Sequence, residues 1–208
     1  MSREAYVHAT APGAPGADLA ILLHGTGGDE RQLLALGREL MPEAALVAPR
    51  GDVDEAGALR FFRRRGEGRY DMADLARATE KLAGFVEAHA AATRPRRLIG
   101  LGYSNGANVL ASVLFARRAL FDAAVLMHPL IAWEPEPGPV RTAVLITAGR
   151  RDPIGPAPLT KALADWFAAQ GAPTALHWHP GGHALDRSEI EAAARFLAAP
   201  VASDADPR

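Results

Sequence analysis

Short apolar runs along the chain alternate with longer segments in which apolar residues recur at every third or fourth position. The runs are nearly continuous in Ile, Leu, Val and Ala, as "LAILL" and "AAVLM" illustrate, which is typical of strands buried on both faces of a sheet. We predict six buried strands, at 19–25, 45–49, 97–103, 123–128, 142–149 and 174–179. The segment "YVHAT" (6–10) predicts an additional strand at the edge of the sheet.

The longer segments predict five helices, at 29–40, 71–92, 105–120, 158–170 and 188–199. Asp29, Asp71 and Ser188 are suitable N-caps, and Gly171 is a suitable stop after the fourth helix. Strands that alternate with helices are typical of βαβ units. The sequence therefore predicts an α/β fold of three layers, with a mostly parallel central sheet and helices on both faces.

Composition narrows the function classes. The 208 residues show no shift in composition, so we predict one domain over residues 1–200 and a disordered tail over 201–208. A formal net charge of -1 argues against a nucleic-acid partner, and no apolar stretch approaches the roughly 20 residues of a membrane span. The absence of cysteine excludes disulfides and agrees with a cytoplasmic location.

The segment "GYSNG" (102–106) matches the pattern G-x-S-x-G, with a predicted strand before it and a predicted helix after it. A sharp strand-to-helix turn brings the backbone so close that only glycine fits at Gly102 and Gly106. Such a turn would expose the Ser104 hydroxyl and place the N–H of Asn105 at a helix N-terminus, where it can stabilise an oxyanion. Taken alone, the motif fits a tight turn with a solvated serine equally well.

Two later residues have the types and positions that an activated serine needs. A serine hydroxyl requires an imidazole as base, and the imidazole requires a carboxylate that orients it. Asp152 directly follows the predicted strand 142–149, and His183 lies in a glycine-rich loop after strand 174–179. Each could be an ordinary loop residue, but the chain order Ser104, Asp152, His183 is that of the α/β-hydrolase fold.

The segment "LLHGTGGDE" (22–30) follows the first central strand and predicts the second half of an oxyanion hole. The His24-Gly25 pair lets the backbone approach the serine, so that the N–H of Thr26 would face the same point as the N–H of Asn105. We expect His24 to brace this loop through hydrogen bonds rather than to act as a base.

With these residues assembled, the chain resembles the small serine carboxylesterases of the phospholipase/carboxylesterase family, which includes the acyl-protein thioesterases. The resemblance rests on "ILLHGTGGDE", "RFFRR", "GYSNGAN", "MHP", "AGRRDP" and "PGGH", and so covers most of the chain. It implies that Ser104 is the nucleophile, Asp152 and His183 its partners, and Thr26 and Asn105 the oxyanion donors. It is nearest to bacterial members with asparagine after the serine.

The segment "LRFFRRRGEGRY" (59–70) concentrates five arginines around two phenylalanines. It could be a lid that offers an apolar surface and an arginine to the substrate, or a solvated loop whose arginines pair with Glu67, Asp71 or Asp74. RNA binding is a less favoured interpretation, because one short basic patch is a small surface for binding a nucleic acid. The tentative substrate pocket comprises Phe61, Phe62, Arg63, Leu130 and Trp133.

A zinc site is a further alternative, because "HWHPGGH" contains His177, His179 and His183. A metallohydrolase would need additional ligands downstream, and the sequence offers none in a matching pattern. We therefore predict no metal and no organic cofactor.

The residues together predict a serine hydrolase that cleaves carboxylic esters of small or medium acyl groups through an acyl-enzyme. A thioesterase or lysophospholipase-type hydrolase stays open, as does a non-catalytic binding protein of the same fold. The expected partner is a small-molecule ester, and a homodimer is left open as the state of assembly.

Overall fold

The computed structural model describes residues 2–66 and 68–199 of the chain. Its strands are β1 (His8–Ala11), β2 (Leu19–Leu23), β3 (Ala45–Pro49), β4 (Val53–Glu55), β5 (Ala58–Arg60), β6 (Arg64–Gly66), β7 (Arg69–Tyr70), β8 (Leu98–Tyr103), β9 (Ala123–Met127), β10 (Ala143–Gly149) and β11 (Thr174–His179). Its helices are α1 (Leu34–Leu40), α2 (Met72–Thr93), α3 (Asn105–Ala116), α4 (Ala157–Ala169) and α5 (Arg187–Ala198).

Seven strands form the central sheet in the order β1-β3-β2-β8-β9-β10-β11. All neighbouring strands run parallel except β1, which pairs antiparallel with β3 at the edge. The predicted mostly parallel sheet is confirmed, as are the six strands and the additional edge strand β1. Burial is wrong for the sixth strand, because β11 forms the opposite edge of the sheet and only His179 of it is buried. The carboxyl ends of β8, β9, β10 and β11 therefore lie side by side along one rim of the sheet.

Helices cover both faces of the sheet because the strands present apolar side chains on both. Leu19, Ile21 and Leu23 of β2 belong to a core with α2, α3 and α4, whereas Ala20 and Leu22 belong to a second core with α1 and α5. Each fully buried leucine contributes roughly 1.5–3 kcal/mol through the burial of apolar surface. The result is the predicted three-layer arrangement, that of the α/β-hydrolase fold.

Three predicted helix ends are wrong. The first helix starts at Leu34, because Asp29 accepts a hydrogen bond from the Arg31 amide and forms a turn instead of a cap. The last helix is capped by Asp186, which accepts the amide of the predicted cap Ser188. Helix α3 ends at Ala116 rather than at residue 120. The predicted cap Asp71 is confirmed, since its side chain accepts from the Asp74 amide.

Two short hairpins were not predicted: β4 with β5, and β6 with β7. Both lie between β3 and α2, and the second, β6–β7, falls in the segment 59–70 that the sequence suggested as a lid or loop. Among the described residues, no helix has the length and apolar character that a bilayer span requires. The predicted tail 201–208 lies outside the described residues, and the single domain stays a prediction.

Candidate active site

Ser104 occupies the single residue between β8 and α3, with φ 52° and ψ −114°. This conformation is strained in a residue with a side chain and costs about 1–3 kcal/mol. A Cβ at Gly102 would lie 2.6 Å from the carbonyl oxygen of Gly106, and a Cβ at Gly106 would overlap the carbonyl oxygen of Leu23. The glycines therefore permit the close packing that holds Ser104 in its strained turn.

Three sequence-distant residues meet at this turn. The Ser104 hydroxyl lies 2.9 Å from Nε2 of His183, and Nδ1 of His183 lies 2.7 Å from Oδ2 of Asp152. Because Nδ1 faces a carboxylate, it carries the proton and donates it, which leaves Nε2 free to accept from the serine hydroxyl. The structure thus brings Ser104, His183 and Asp152 together in the predicted order.

Asp152 is fixed from two sides. Its Oδ2 also lies 2.9 Å from Nδ1 of a second histidine, His128, and its Oδ1 accepts the backbone amides of Ile154 and Gly155 at 2.8 and 3.0 Å. Burial would raise the pKa of the Asp152 carboxyl, but the hydrogen bonds from the two histidines and the two amides outweigh it and lower this pKa. The carboxylate is therefore held ionised.

The loop after β2 approaches Ser104 closely: a Cβ at Gly25 would lie 2.8 Å from the ring of Tyr103. His24 braces this loop as predicted, because its Nδ1 donates to the Gly25 carbonyl at 2.7 Å and its Nε2 accepts the Gly51 amide at 2.8 Å. Burial lowers the pKa of His24, which agrees with a neutral ring in this role.

The two predicted oxyanion donors face a common cavity. Thr26 and Asn105 both line a cavity of about 250 Å³ beside Ser104 and His183. The Asn105 side chain accepts the Phe61 amide at 2.8 Å, and the Thr26 hydroxyl accepts from the guanidinium of Arg60 at 2.6 Å. The hairpin that ends at Arg60 is thereby tied to the loop that carries Thr26.

Only part of the predicted pocket is correct. Leu130 lines the cavity, but Phe61 and Phe62 are fully buried in the core between the sheet and α2. Arg63 points away and pairs with Asp71 and Asp74. Trp133 lies in a separate surface groove beside α4. The pairing of Arg63 agrees with the alternative in which arginines of 59–70 pair with acidic residues, whereas Arg60 and Arg64 of the same segment line the cavity.

The structure adds cavity residues that the sequence analysis missed. Tyr70 and Asn108 line the cavity and fix the backbone of Leu130. The Asn108 side chain accepts the Leu130 amide at 2.7 Å and donates to the Tyr70 hydroxyl at 2.8 Å, and that hydroxyl donates to the Leu130 carbonyl at 2.8 Å. Asn108 lies one helical turn after Ser104, and this spacing was the only signal in the sequence.

The zinc alternative finds no support in the positions of its three histidines. His177 lies beside Ser188, at 3.2 Å, and His183 beside Ser104. His179, expected at the surface, is buried with Nε2 at 3.4 Å from Nε2 of His128.

Two other groups have ligand-type atoms within 4.8 Å of one another: His128 with Asp152 and His183, and His128 with His179 and Glu189. In the first group Asp152 accepts from both histidines, and in the second Glu189 accepts from His128. We identify none of these residues as a metal ligand.

A three-layer α/β fold with a serine, a histidine and an aspartate at adjacent strand ends defines a protein of the α/β-hydrolase class. Residues 55–201 match the model of the dienelactone hydrolase family. The chain belongs to this family.

Relatives of the chain support the same class. MhqD of Bacillus subtilis (strain 168), provisionally named a hydrolase, is 39% identical over 181 residues, which cover 85% of this chain and 90% of that protein. The crystal structure of Atu2452, a protein of unknown function from Agrobacterium tumefaciens str. C58, is 54% identical with a TM-score of 0.91, covering 95% of this chain and 98% of that one. The Bacillus cereus carboxylesterase is 35% identical with a TM-score of 0.87, covering 92% of both chains.

These similarities confirm the resemblance to small carboxylesterases and specify the family model that the chain matches. The chain is accordingly an enzyme, a hydrolase of the dienelactone hydrolase and carboxylesterase type.

Proposed function

We propose that the enzyme hydrolyses carboxylic esters of small or medium acyl groups through an acyl-enzyme on Ser104. The observation that carries this proposal is the unbroken line of hydrogen bonds from Asp152 through His183 to the Ser104 hydroxyl, 2.7 and 2.9 Å long, at the wall of a cavity. A serine without such a base is a poor nucleophile at neutral pH.

The first half-reaction follows from the positions of these atoms. Nε2 of His183 takes the proton of Ser104 as its oxygen attacks the ester carbonyl, and Asp152 stabilises the imidazolium that forms. The backbone N–H groups of Asn105 and Thr26 donate to the oxyanion of the tetrahedral intermediate. When this intermediate collapses, the C–O bond to the alcohol breaks, and His183 gives its proton to the departing oxygen.

The second half-reaction repeats these steps with water. His183 takes a proton from a water molecule that attacks the acyl-enzyme, and the carboxylic acid leaves as the proton returns to the Ser104 oxygen. Each cycle consumes one ester and one water, and it yields one acid and one alcohol. The enzyme is thereby regenerated.

The cavity supports a small substrate with hydrogen-bond acceptors. Its volume of about 250 Å³ is at or below the range of ligand pockets, roughly 300–1,000 Å³. Its lining is mixed, with Leu130 and Ile154 beside Thr26, Asn105 and Arg60. The name of the Bacillus cereus relative, a carboxylesterase, agrees with ester hydrolysis. The cytoplasmic location and the assembly state stay predictions.

Steady-state kinetics with aryl esters of increasing acyl length test the proposal. We expect Ser104→Ala and Asp152→Asn to reduce kcat/KM by about 10⁴-fold with an unchanged circular dichroism spectrum. Ser112→Ala is the matched control, because Ser112 lies on α3, the helix that follows Ser104, but contacts Thr79, at 2.8 Å. Activity of Ser104→Ala at the wild-type level would overturn the mechanism. A preference for thioesters would indicate that the substrates are thioesters rather than carboxylic esters.

A further inference from the structure

His128 is a second histidine beside Asp152, and the mechanism above does not use it. It follows β9 directly and is 1% exposed. Its φ is 53°, and it precedes a proline, which makes this backbone conformation costly for a residue with a side chain. Strain at a buried polar residue next to an active site is a reason to ask what its side chain does.

Both ring nitrogens of His128 face carboxylate oxygens. Nδ1 lies 2.9 Å from Oδ2 of Asp152, and Nε2 lies 3.2 Å from Oε1 of Glu189. Glu189 is fully buried on α5 and accepts two further hydrogen bonds, from the Asp186 amide at 2.6 Å and from the Thr147 hydroxyl at 2.5 Å. Glu189 therefore acts as an acceptor throughout, as an ionised carboxylate does.

The remaining neighbour, His179, shares the Glu189 acceptor. Its Nδ1 accepts the Gly181 amide at 3.1 Å, so its proton is on Nε2, which lies 3.4 Å from Nε2 of His128 and 3.9 Å from the Glu189 oxygen that faces His128. An imidazolium at His128 therefore brings two N–H groups toward one Glu189 oxygen, whose negative charge offsets their mutual repulsion. If His128 accepted that proton, its own lone pair would be the group beside the Glu189 oxygen, and the two would repel. Only the imidazolium form of His128 gives an N–H to each carboxylate.

We propose that His128 is a positioning residue, held as an imidazolium between Asp152 and Glu189, that partly cancels the charge of Asp152 at the catalytic imidazole and so sets the acid-side midpoint of the pH–rate profile. This inference rests on the proposed function of the Ser104 site. The rings of His128 and His183 lie 5.1 Å apart, centre to centre, and Asp152 Oδ2 contacts both. A unit charge at this distance shifts the pKa of a neighbouring titratable group by roughly 1–3 units.

The titratable groups that face His128 come from four elements and their following loops. Tyr103 at the end of β8 stacks edge-on at 5.9 Å, and His179 at the end of β11 at 5.3 Å. Asp152 and His183 follow β10 and β11, and Glu189 belongs to α5. Asp186, the cap of α5, acts on His179 from the far side. Among these described groups, the two carboxylates in contact with the ring are the nearest charges.

The direction of the pKa shifts agrees with this geometry. Burial alone would lower the pKa of His128, but its hydrogen bonds to Glu189 and Asp152 outweigh burial and raise it. Burial would raise the pKa of Glu189, and its hydrogen bonds with His128, Thr147 and the Asp186 amide lower it instead. Each partner thus favours the charged form of the other.

Nitrogen NMR of the intact enzyme with labelled histidine tests the protonation state directly. We expect both ring nitrogens of His128 to be protonated at neutral pH, with the resonances assigned by their loss in His128→Asn. In Glu189→Gln, which keeps the shape of the side chain, the ring should release its proton at lower pH than in the wild type. A single protonated ring nitrogen in the wild type at neutral pH would overturn the proposal.

The pH dependence of kcat/KM tests the consequence for catalysis. Asparagine at position 128 tolerates positive φ and keeps a donor near the position of Nδ1, but it removes the charge. With that charge gone, the negative charge of Asp152 beside the catalytic imidazole is no longer offset, so we expect the acid-side midpoint of kcat/KM in His128→Asn to rise by roughly one pH unit. The control is His177→Asn, because His177 lies in the same strand as His179 but beside Ser188, at 3.2 Å; this variant should leave the midpoint unchanged.

The outcomes separate this inference from the proposed function. A structural role for His128 would lower the plateau rate without moving the midpoint, and an unmoved midpoint in an active His128→Asn enzyme would overturn the proposal. If that variant does not fold, the NMR result on the wild type decides. If wild-type enzyme shows no esterase activity while His128 is an imidazolium, the proposed function fails and the charge assignment stands.

Discussion

Ser104 shows how a single residue determines the site. Its backbone lies at φ 52°, outside the regions that a serine prefers, and the packing of Gly102 and Gly106 against the neighbouring backbone holds it there. This fixed backbone conformation keeps the hydroxyl directed toward His183, so no conformational rearrangement is needed to bring the two together. In the proposed mechanism the two glycines therefore contribute to catalysis, although neither has a side chain that could react.

Gly106→Ala tests this account of the turn. The added methyl group would overlap the carbonyl oxygen of Leu23, which belongs to the central strand β2 and cannot move easily. We expect a loss of about 3 kcal/mol in the free energy of unfolding, measured in urea, together with loss of esterase activity. Gly182→Ala is the control, since its Cβ would meet only the Arg151 carbonyl oxygen at an ordinary 3.7 Å. Equal stability of the two variants would contradict the account.

At the residue scale, a site residue is predictable from the sequence where a local backbone constraint requires particular residue types around it. Ser104 was predictable because its turn requires glycines at fixed positions, and Asp152 and His183 followed from the ends of predicted strands. His128 and Glu189 were missed as partners, because their contact depends on how α5 packs against β10 and β11. Phe61 was misassigned to the pocket because nothing in its neighbouring sequence indicates which way the hairpin turns it.

At the element scale, α5 shows the effect of a small error in the predicted N-cap. The sequence suggested Ser188, but the helix begins with a capping box in which Asp186 accepts from the helix and Glu189 bonds back to the Asp186 amide at 2.6 Å. Glu189 is also the buried partner of His128. Glu189 thus belongs both to the capping box of α5 and to the hydrogen-bond network that joins His128 and Asp152.

Asp186→Ala measures what the cap contributes. Removal of the side-chain acceptor should lower the free energy of unfolding by about 1 kcal/mol, because two N-terminal donors of α5 lose their partner. Asp186→Asn, which retains an acceptor oxygen, should lose only a few tenths of that energy. Urea denaturation of both variants gives the comparison. An alanine variant as stable as the asparagine variant would show that the cap does not stabilise the helix.

The predicted elements agree with the structure where periodicity is strong and fail where it is short. The strands β2, β3, β8, β9 and β10 were predicted because their apolar runs are continuous, whereas the burial of β11 was not, because this strand lies at the edge of the sheet. The hairpins β4–β5 and β6–β7 have strands of only two or three residues, too short for any repeat to be recognised. These hairpins carry Arg60 and Tyr70 to the cavity, so the substrate pocket was the least predictable part of the site.

At the scale of the whole molecule, sheet topology assembles the site. β8, β9, β10 and β11 are consecutive neighbours and run parallel. The residue that each delivers just beyond its carboxyl end is Ser104, His128, Asp152 and His183 respectively. Four positions spread over 80 residues of sequence, from 104 to 183, therefore meet along one rim, as ligand sites do in open α/β sheets.

The central claim is that the molecule holds Ser104 as an activated nucleophile. The most direct measurement is intact-protein mass spectrometry after reaction with a fluorophosphonate, comparing the wild type with Ser104→Ala and Ser112→Ala. The account predicts a single adduct in the wild type and in Ser112→Ala, located on Ser104, and no adduct in Ser104→Ala. A wild-type enzyme that remains unlabelled, or a Ser104→Ala variant that is labelled equally well, would contradict it.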